Sequence, residues 1–169
     1  MQLVEGIAEI ENLDAFLAAL AEISEKTDCA VQAFDARYVM GREHVERAVE
    51  LANRAFDRGE NVARDRAVEV LLFAAGRRQI DRALEMGVSE GEGPVVVVVD
   101  SSDGDAEAEA EAVDGVRALL QPAETLGMEH TDEGLVREFF DVSAVELEAT
   151  AGGLVDLVLE RVALLVVER

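Results

Sequence analysis

Apolar residues alternate with polar ones and then change to helical spacing over the first 40 residues. Positions 3–10 carry Leu, Val and Ile around glutamates and a glycine, which predicts a strand. The stretch "NLDAFLAALAEIS" has apolar residues three and four apart behind Asn12, a typical N-cap residue, so a helix is expected there. The segment "CAVQAFDARYV", residues 29–39, predicts a second strand.

The middle of the chain predicts helices separated by glycines. One helix runs from Gly41 to about Arg58, and a second from about Asp65 to Ala75, after the polar segment "ENVARD". Gly76 interrupts the pattern, and "RRQIDRALEMG" resumes as a short helix whose apolar side has three members: Ile80, Ala83 and Leu84. Two short helices that meet at a glycine leave backbone N–H groups and flanking side chains directed at one spot.

The second half of the chain predicts a buried strand followed by helices. The β-branched run "GPVVVVVD" predicts a strand buried on both faces, and the acidic segment after it leads into a helix that ends near Leu120. "GMEHTD" is interpreted as a short edge strand, "DEGLVREFF" as a helix, and residues 143–169 as one long helix weakened at its centre by two glycines. The sum is an α/β (α+β) fold with a mixed sheet of three to four strands packed with several helices, in a single domain over residues 1–169.

The charge of the chain is strongly negative. Its 169 residues have a formal net charge of −22, with 37 acidic residues against 15 basic ones, of which only Lys26 is a lysine. We interpret this as adaptation of the whole surface to a very salty cytoplasm, because at 1 M salt the Debye length is about 3 Å and the repulsion is screened. An acidic patch built for a basic partner is the alternative.

The sequence offers little catalytic chemistry. Cys29 is the only cysteine, which excludes an internal disulfide and fits a reducing cytoplasm, and neither a signal peptide nor a membrane-spanning run is expected. No P-loop, G-x-S-x-G motif or metal-ligand spacing is present, so no cofactor or metal is predicted. His44 is interpreted as a capping or packing residue. A binding module is favoured over an enzyme, although the "DSSDGD" loop after the valine strand leaves open a metal-dependent small-molecule enzyme.

A set of residues between Val39 and Val88 carries a family resemblance. The segment resembles the smallest, non-catalytic subunit of the KEOPS (EKC) complex, the family of the PRPK-binding protein, and it looks like a haloarchaeal member. Val62, Ala63, Phe73 and Ala75 depart mildly from the family pattern, whereas the closing "ERVALLVVER" resembles its ending. The matching positions are Gly41, His44, Asn61, Glu69, Leu71, Leu72, Ala74, Gly76, Arg78, Gln79 and Ile80.

The resemblance implies a role in tRNA modification. KEOPS makes threonylcarbamoyl-adenosine in tRNAs, and its smallest subunit docks on a kinase-like ATPase subunit and recruits tRNA through the single-stranded 3′ CCA end. The chain is therefore expected to be a non-enzyme that needs no cofactor. A pure scaffold, which binds the kinase-like subunit but not RNA, is the alternative.

The distribution of arginines favours RNA contact in the same region. Residues 37–82 hold ten arginines against eight Asp and Glu, a balance of +2, whereas the remainder of the chain holds five basic and 29 acidic residues. Pairs such as Glu43–Arg47 and Glu50–Arg54 explain part of this arginine content by i,i+4 ion pairing. The predicted RNA-binding residues are Arg77, Arg78, Gln79 and Ile80, together with Arg64.

Salt selects the mode of RNA binding. Affinity that comes from counterion release falls steeply as salt rises, so stacking of unpaired bases on arginine planes and apolar side chains is expected instead. Ile80 supports a base in this interpretation and is a core residue in the alternative one.

The C-terminal segment is predicted to dock the kinase-like subunit. From Leu154 onward it is apolar almost all round, and such a helix is either buried or half buried in a partner. The predicted partner-binding residues are Leu157, Leu164, Leu165 and Val166. Complete burial of the helix within the protein itself is the alternative.

Overall fold

A computed structural model describes residues 1–168 of the chain. It has four strands: β1 (Gln2–Ile10), β2 (Ala30–Asp35), β3 (Gly91–Asp100) and β4 (Gln121–Pro122). The α-helices are α1 (Leu13–Thr27), α2 (Arg42–Arg58), α3 (Arg66–Ala75), α4 (Ile80–Ala83), α5 (Ala106–Arg117), α6 (Glu133–Phe139), α7 (Ala144–Ala149) and α8 (Gly153–Glu168). Single 3-10 turns span Ala36–Tyr38 and Leu84–Met86. The predicted α+β class is confirmed.

These elements form two compact units. The first comprises residues 1–36 and 87–125, and the second comprises residues 37–86 and 126–169. The single domain expected over residues 1–169 stays a prediction.

The first unit is built on a four-stranded sheet of order β2-β3-β1-β4. Its central strand β3 pairs antiparallel with both β1 and β2, and β4 pairs antiparallel with β1, so the sheet is antiparallel throughout rather than mixed. β1 and β2 do run in the same direction, but β3 lies between them. The run Val95–Val99 is buried on both faces, as its continuous β-branched sequence predicts.

Helices α1 and α5 pack on one face of this sheet. Leu20 of α1 and Val116 of α5 meet Val4, Val31 and Val97 of the strands in one apolar cluster. Gly6 leaves room for the edge strand β4, because a Cβ at this position would lie 2.7 Å from the backbone oxygen of Gln121. β4, residues 121–122, is thus one of the two edge strands of the sheet, and β2 is the other.

Several predicted boundaries in the chain are wrong. "GMEHTD" is not a strand, because His130 and Thr131 both donate their N–H groups to the carbonyl of Gly127 and close turns there. β2 ends at Asp35, since the chain turns into a 3-10 helix, and α4 begins only at Ile80. The long C-terminal helix is two helices, because Thr150 is extended and Gly153 has a φ of +78°. Arg169, its predicted last residue, lies outside the described part.

The second unit is helical. Helix α2 packs along α3, and α8 contacts both of them. The predicted bounds of α2 and α3 are confirmed: Gly41 and Gly59 flank α2, and the side chain of Asp65 caps α3 by accepting the N–H groups of Ala67 and Val68. All predicted RNA-binding and partner-binding residues belong to this unit.

Candidate nucleic-acid and partner surfaces

The turn that ends α3 is the centre of the candidate RNA surface. The N–H of Gly76 donates to the carbonyl of Phe73 at 3.0 Å, and the N–H of Arg77 donates to that of Leu72 at 3.1 Å, which is a Schellman ending. Gly76 has a φ of +59°, and a Cβ there would lie 3.3 Å from the carbonyl oxygen of Arg161 in α8. The glycine therefore permits both the left-handed turn and the close approach of α8.

His44 fixes the last turn of α3 from the start of α2. Its Nδ1 accepts the N–H of Met40 at 3.0 Å, so its Nε2 carries the proton and donates it to the carbonyl of Ala74 at 2.8 Å. The ring is fully buried and packs against the Phe140 ring in a T-shaped arrangement. Burial lowers the pKa of His44 to about 4, although the Ala74 carbonyl opposes this shift. The packing role predicted for His44 is confirmed.

Glu69 holds the loop between α2 and α3. Its side chain is fully buried in α3, and its carboxylate accepts the N–H groups of Val62 at 3.2 Å and Ala63 at 2.9 Å. This carboxylate therefore fixes the segment that carries Arg64. Sequence reasoning assigned no role to Glu69; the available signal was a carboxylate among the inward apolar positions of a helix.

Four of the five predicted RNA-binding residues face solvent. Arg64, Arg78 and Gln79 are exposed, and Ile80 is exposed to 44%. Ile80 is therefore a surface residue, and Ala83, at 0% exposure, is the member of the α4 apolar set that points inward. The alternative that Ile80 belongs to the core is wrong.

Arg77 differs from the other four because its guanidinium is engaged within the protein. It donates to the carbonyl of Phe139, at the C-terminal end of α6, and lies 5.3 Å from the centre of the Phe139 ring. A cation at this end of a helix satisfies a free carbonyl and opposes the negative pole of the helix dipole. The position of Arg77 thus supports the alternative that this arginine serves the fold.

Arg161 of α8 acts on the same end of α6. Its Nε donates to the carbonyl of Phe140 at 2.7 Å, and its Nη2 donates to Glu146 Oε1 at 2.6 Å and to the carbonyl of Asp141 at 3.3 Å. Arg161 therefore ties α6 and α7 to α8. This role was missed, because carbonyl partners leave no mark in the sequence.

Ion pairs on α2 account for several of its arginines. Glu50 accepts from Arg54, as predicted, and also from Arg47, both at 2.9 Å. The predicted Glu43–Arg47 pair is thus replaced by a pair three residues apart in the other direction. Arg42 pairs with Glu46 at 2.6 Å.

Helix α8 divides the four predicted partner-binding residues into two groups. Leu157 and Leu165 are buried, whereas Leu164 and Val166 are exposed to 42% and 37%. The inward pair packs within the protein, so a partner that docks on this helix meets Leu164 and Val166 directly. The sequence left two alternatives, a partner surface made of all four residues and complete burial of the helix. Neither fits, since one side of the helix is buried and the other is exposed.

The remaining candidate chemistry finds no support in the described residues. Within residues 1–168, no group of three or more His, Cys, Asp or Glu is arranged to hold a metal ion. The hydroxyl of Ser101, in the "DSSDGD" loop, donates to Asp103 and accepts the N–H of Asp105, and Asp105 caps α5. None of the described helices is both long and apolar enough to span a membrane.

The protein thus has an α+β fold, and its candidate contact residues are exposed at the turn after α3 and along α8. Residues 7–165 match the family model described as kinase binding protein CGI-121. This match covers most of the chain, so the chain belongs to the CGI-121 family of kinase binding proteins, and the resemblance to the smallest KEOPS subunit is confirmed. No curated protein matches the chain.

Proposed function

We propose that this protein is the smallest, non-catalytic subunit of a KEOPS complex, which makes threonylcarbamoyl-adenosine in tRNA. In this function it docks on the kinase-like ATPase subunit and recruits tRNA through the single-stranded 3′ CCA end. Membership of a kinase-binding family supports the docking, and it is the observation that carries the proposal. We expect the protein to act in the cytoplasm, because a reducing compartment suits a chain whose single cysteine forms no disulfide.

The RNA part of the proposal rests on the residues after Gly76. Arg78, Gln79 and Ile80 are consecutive and exposed, and they lie within residues 37–82, where ten arginines stand against eight acidic residues on a chain of net charge −22. A guanidinium plane and an apolar side chain support unpaired bases, and an amide hydrogen-bonds to a base edge. Arg64, on the loop that Glu69 holds, adds a second exposed cation.

The scaffold alternative has one specific observation in its favour. The guanidinium of Arg77, the first residue of the predicted RNA cluster, donates a hydrogen bond to the Phe139 carbonyl and lies over the Phe139 ring. Its part in RNA binding is therefore to support the turn, whereas Arg78, Gln79 and Ile80 contact the RNA. Binding of intact tRNA, compared with tRNA that lacks its 3′ CCA, distinguishes recruitment from a scaffold role.

The docking part is tested by an exposed leucine on α8. Leu164→Asp is expected to weaken binding to the purified kinase-like subunit at least tenfold, because it places a carboxylate in an apolar contact. Leu17→Asp is the matched control, since Leu17 lies on a helix of the first unit and is exposed to 44%, against 42% for Leu164. Isothermal titration calorimetry measures both affinities. Equal affinity of the two variants would place the docking surface elsewhere.

A further inference from the structure

A hollow between the C-terminal parts of α2 and α8 is a second feature beside the exposed face of α8. Its wall is mostly apolar, and Arg54, Arg58 and Glu60 supply its charged groups. The apolar lining residues are Leu51, Ala55, Phe73 and Val166. Val166 is exposed to 37% and so belongs both to the hollow and to the face of α8 that carries Leu164.

Positive charge is in excess at the mouth of this hollow. Arg54 shares the carboxylate of Glu50 with Arg47, and Arg58 and Glu60 line the hollow as well, so three guanidinium groups stand against two carboxylates here. Arg58 is exposed in the last turn of α2. An excess of guanidinium groups is unusual on a chain whose net charge is −22, and it complements a carboxylate on a partner.

From this geometry we infer that the hollow is a docking surface for the kinase-like partner, which packs an apolar side chain over its wall and places a carboxylate against Arg58. The inference rests on the proposed docking of that subunit. Three observations favour a protein over RNA as the occupant. The wall is aliphatic and aromatic, the hollow continues into the exposed face of α8, and the family is one of kinase binding proteins. Arginine suits such a place, since its planar group pairs with carboxylates in a defined geometry.

Charge reversal at Arg58 tests this docking surface. Arg58→Glu is expected to weaken binding to the purified kinase-like subunit at least tenfold in high salt, because it sets two carboxylates against each other. Arg58→Gln removes the charge without reversing it, and a loss of about threefold is expected, as for an ion pair near a surface. Arg42→Glu, an exposed arginine at the other end of α2, is the control, and its affinity should equal that of the wild type. Melting temperatures verify that each variant is folded.

The outcomes separate the inference about the hollow from the docking proposal itself. If Leu164→Asp weakens the complex while both Arg58 variants bind like the wild type, the inference about the hollow is overturned and docking on α8 stands. If neither residue matters, docking on this side of the protein fails as a whole. A loss of tRNA affinity in Arg58→Glu, with partner affinity unchanged, would assign the hollow to RNA and also overturn the inference.

Discussion

At the residue scale, buried ionisable side chains hold the surface that we propose for RNA. His44 bonds the carbonyl of Ala74 at the end of α3, and Glu69 accepts two N–H groups from the loop that carries Arg64. Each of these side chains is fully buried, so neither contacts a ligand directly. Both residues are among the positions that match the family pattern, and in this structure they support the turn and the loop.

The buried imidazole makes stability depend on pH. The pKa of His44 is about 4 in the folded protein and about 6.5 in the unfolded chain, so the unfolded state binds the proton first. The stability that neutral His44 contributes is present above about pH 6.5 and is lost as the pH falls toward 4. The loss should amount to about 3 kcal/mol over this range.

A His44→Gln variant separates this effect from the titration of carboxylates. The difference in free energy of unfolding between wild type and His44→Gln should be largest at pH 7 and should shrink toward pH 4. Urea unfolding in high salt measures it, with His130→Gln as the control for the other histidine. A difference that stays constant from pH 7 to pH 4 would contradict the role given to His44.

Residue roles were predictable where exposure follows from a break in a helix. Arg78 and Gln79 follow the break at Gly76 by two and three residues and are exposed, as the sequence predicts. Arg77 stands beside them but turns inward, because a carbonyl and a ring distant in the chain offer it better partners than water. This inward orientation of Arg77 depends on the tertiary position of Phe139, which cannot be inferred from the local sequence pattern.

At the element scale, the junction of α3 and α4 is set by one glycine. Gly76 ends α3 in the left-handed region, and the backbone of Arg161 in α8 lies against it. The chain that follows carries the exposed residues 78–80 before α4 begins. The geometry of this junction therefore decides how the proposed RNA-binding residues are presented.

Substitution of this glycine should be costly. Gly76→Ala is expected to lower the free energy of unfolding by about 1–2 kcal/mol, because a Cβ in the left-handed region is strained. The added Cβ would also crowd the Arg161 carbonyl oxygen at 3.3 Å. Gly93→Ala in β3 is the control, since a Cβ there meets no atom within 4 Å and φ is not positive. Chemical denaturation of both variants gives the comparison, and equal stabilities would refute this account of the turn.

Elements with strong periodicity were predictable, whereas weakly patterned segments were not. The apolar stripe of α2 predicted a helix, and the valine run of β3 predicted a buried strand. "GMEHTD" has a single large apolar residue, Met128, which is 56% exposed, so its few alternating positions carried no burial energy. The division of residues 143–169 into two helices depends on Gly153 and on contacts of Arg161 with α6 and α7, which are tertiary.

At the scale of the whole molecule, net charge limits how RNA can be bound. A chain of charge −22 repels a polyanion over most of its surface, and concentrated salt removes the gain from counterion release. The proposed stacking of bases on Arg78 and Ile80 would not depend on that gain, and base stacking contributes about 1–3 kcal/mol per base in single-strand sites. Recognition of an unpaired end therefore suits this protein better than contact with duplex phosphates.

The most direct test of the proposed function is the affinity of the protein for tRNA in high salt, with and without the 3′ CCA. Wild type should bind intact tRNA at least tenfold more tightly than tRNA that lacks the CCA. Arg78→Glu should bind both RNAs with the lower affinity, and Arg117→Glu, an exposed arginine on α5, should behave like the wild type. If wild type and Arg78→Glu bind intact tRNA equally well, recruitment of tRNA through this turn is contradicted and the scaffold function is left.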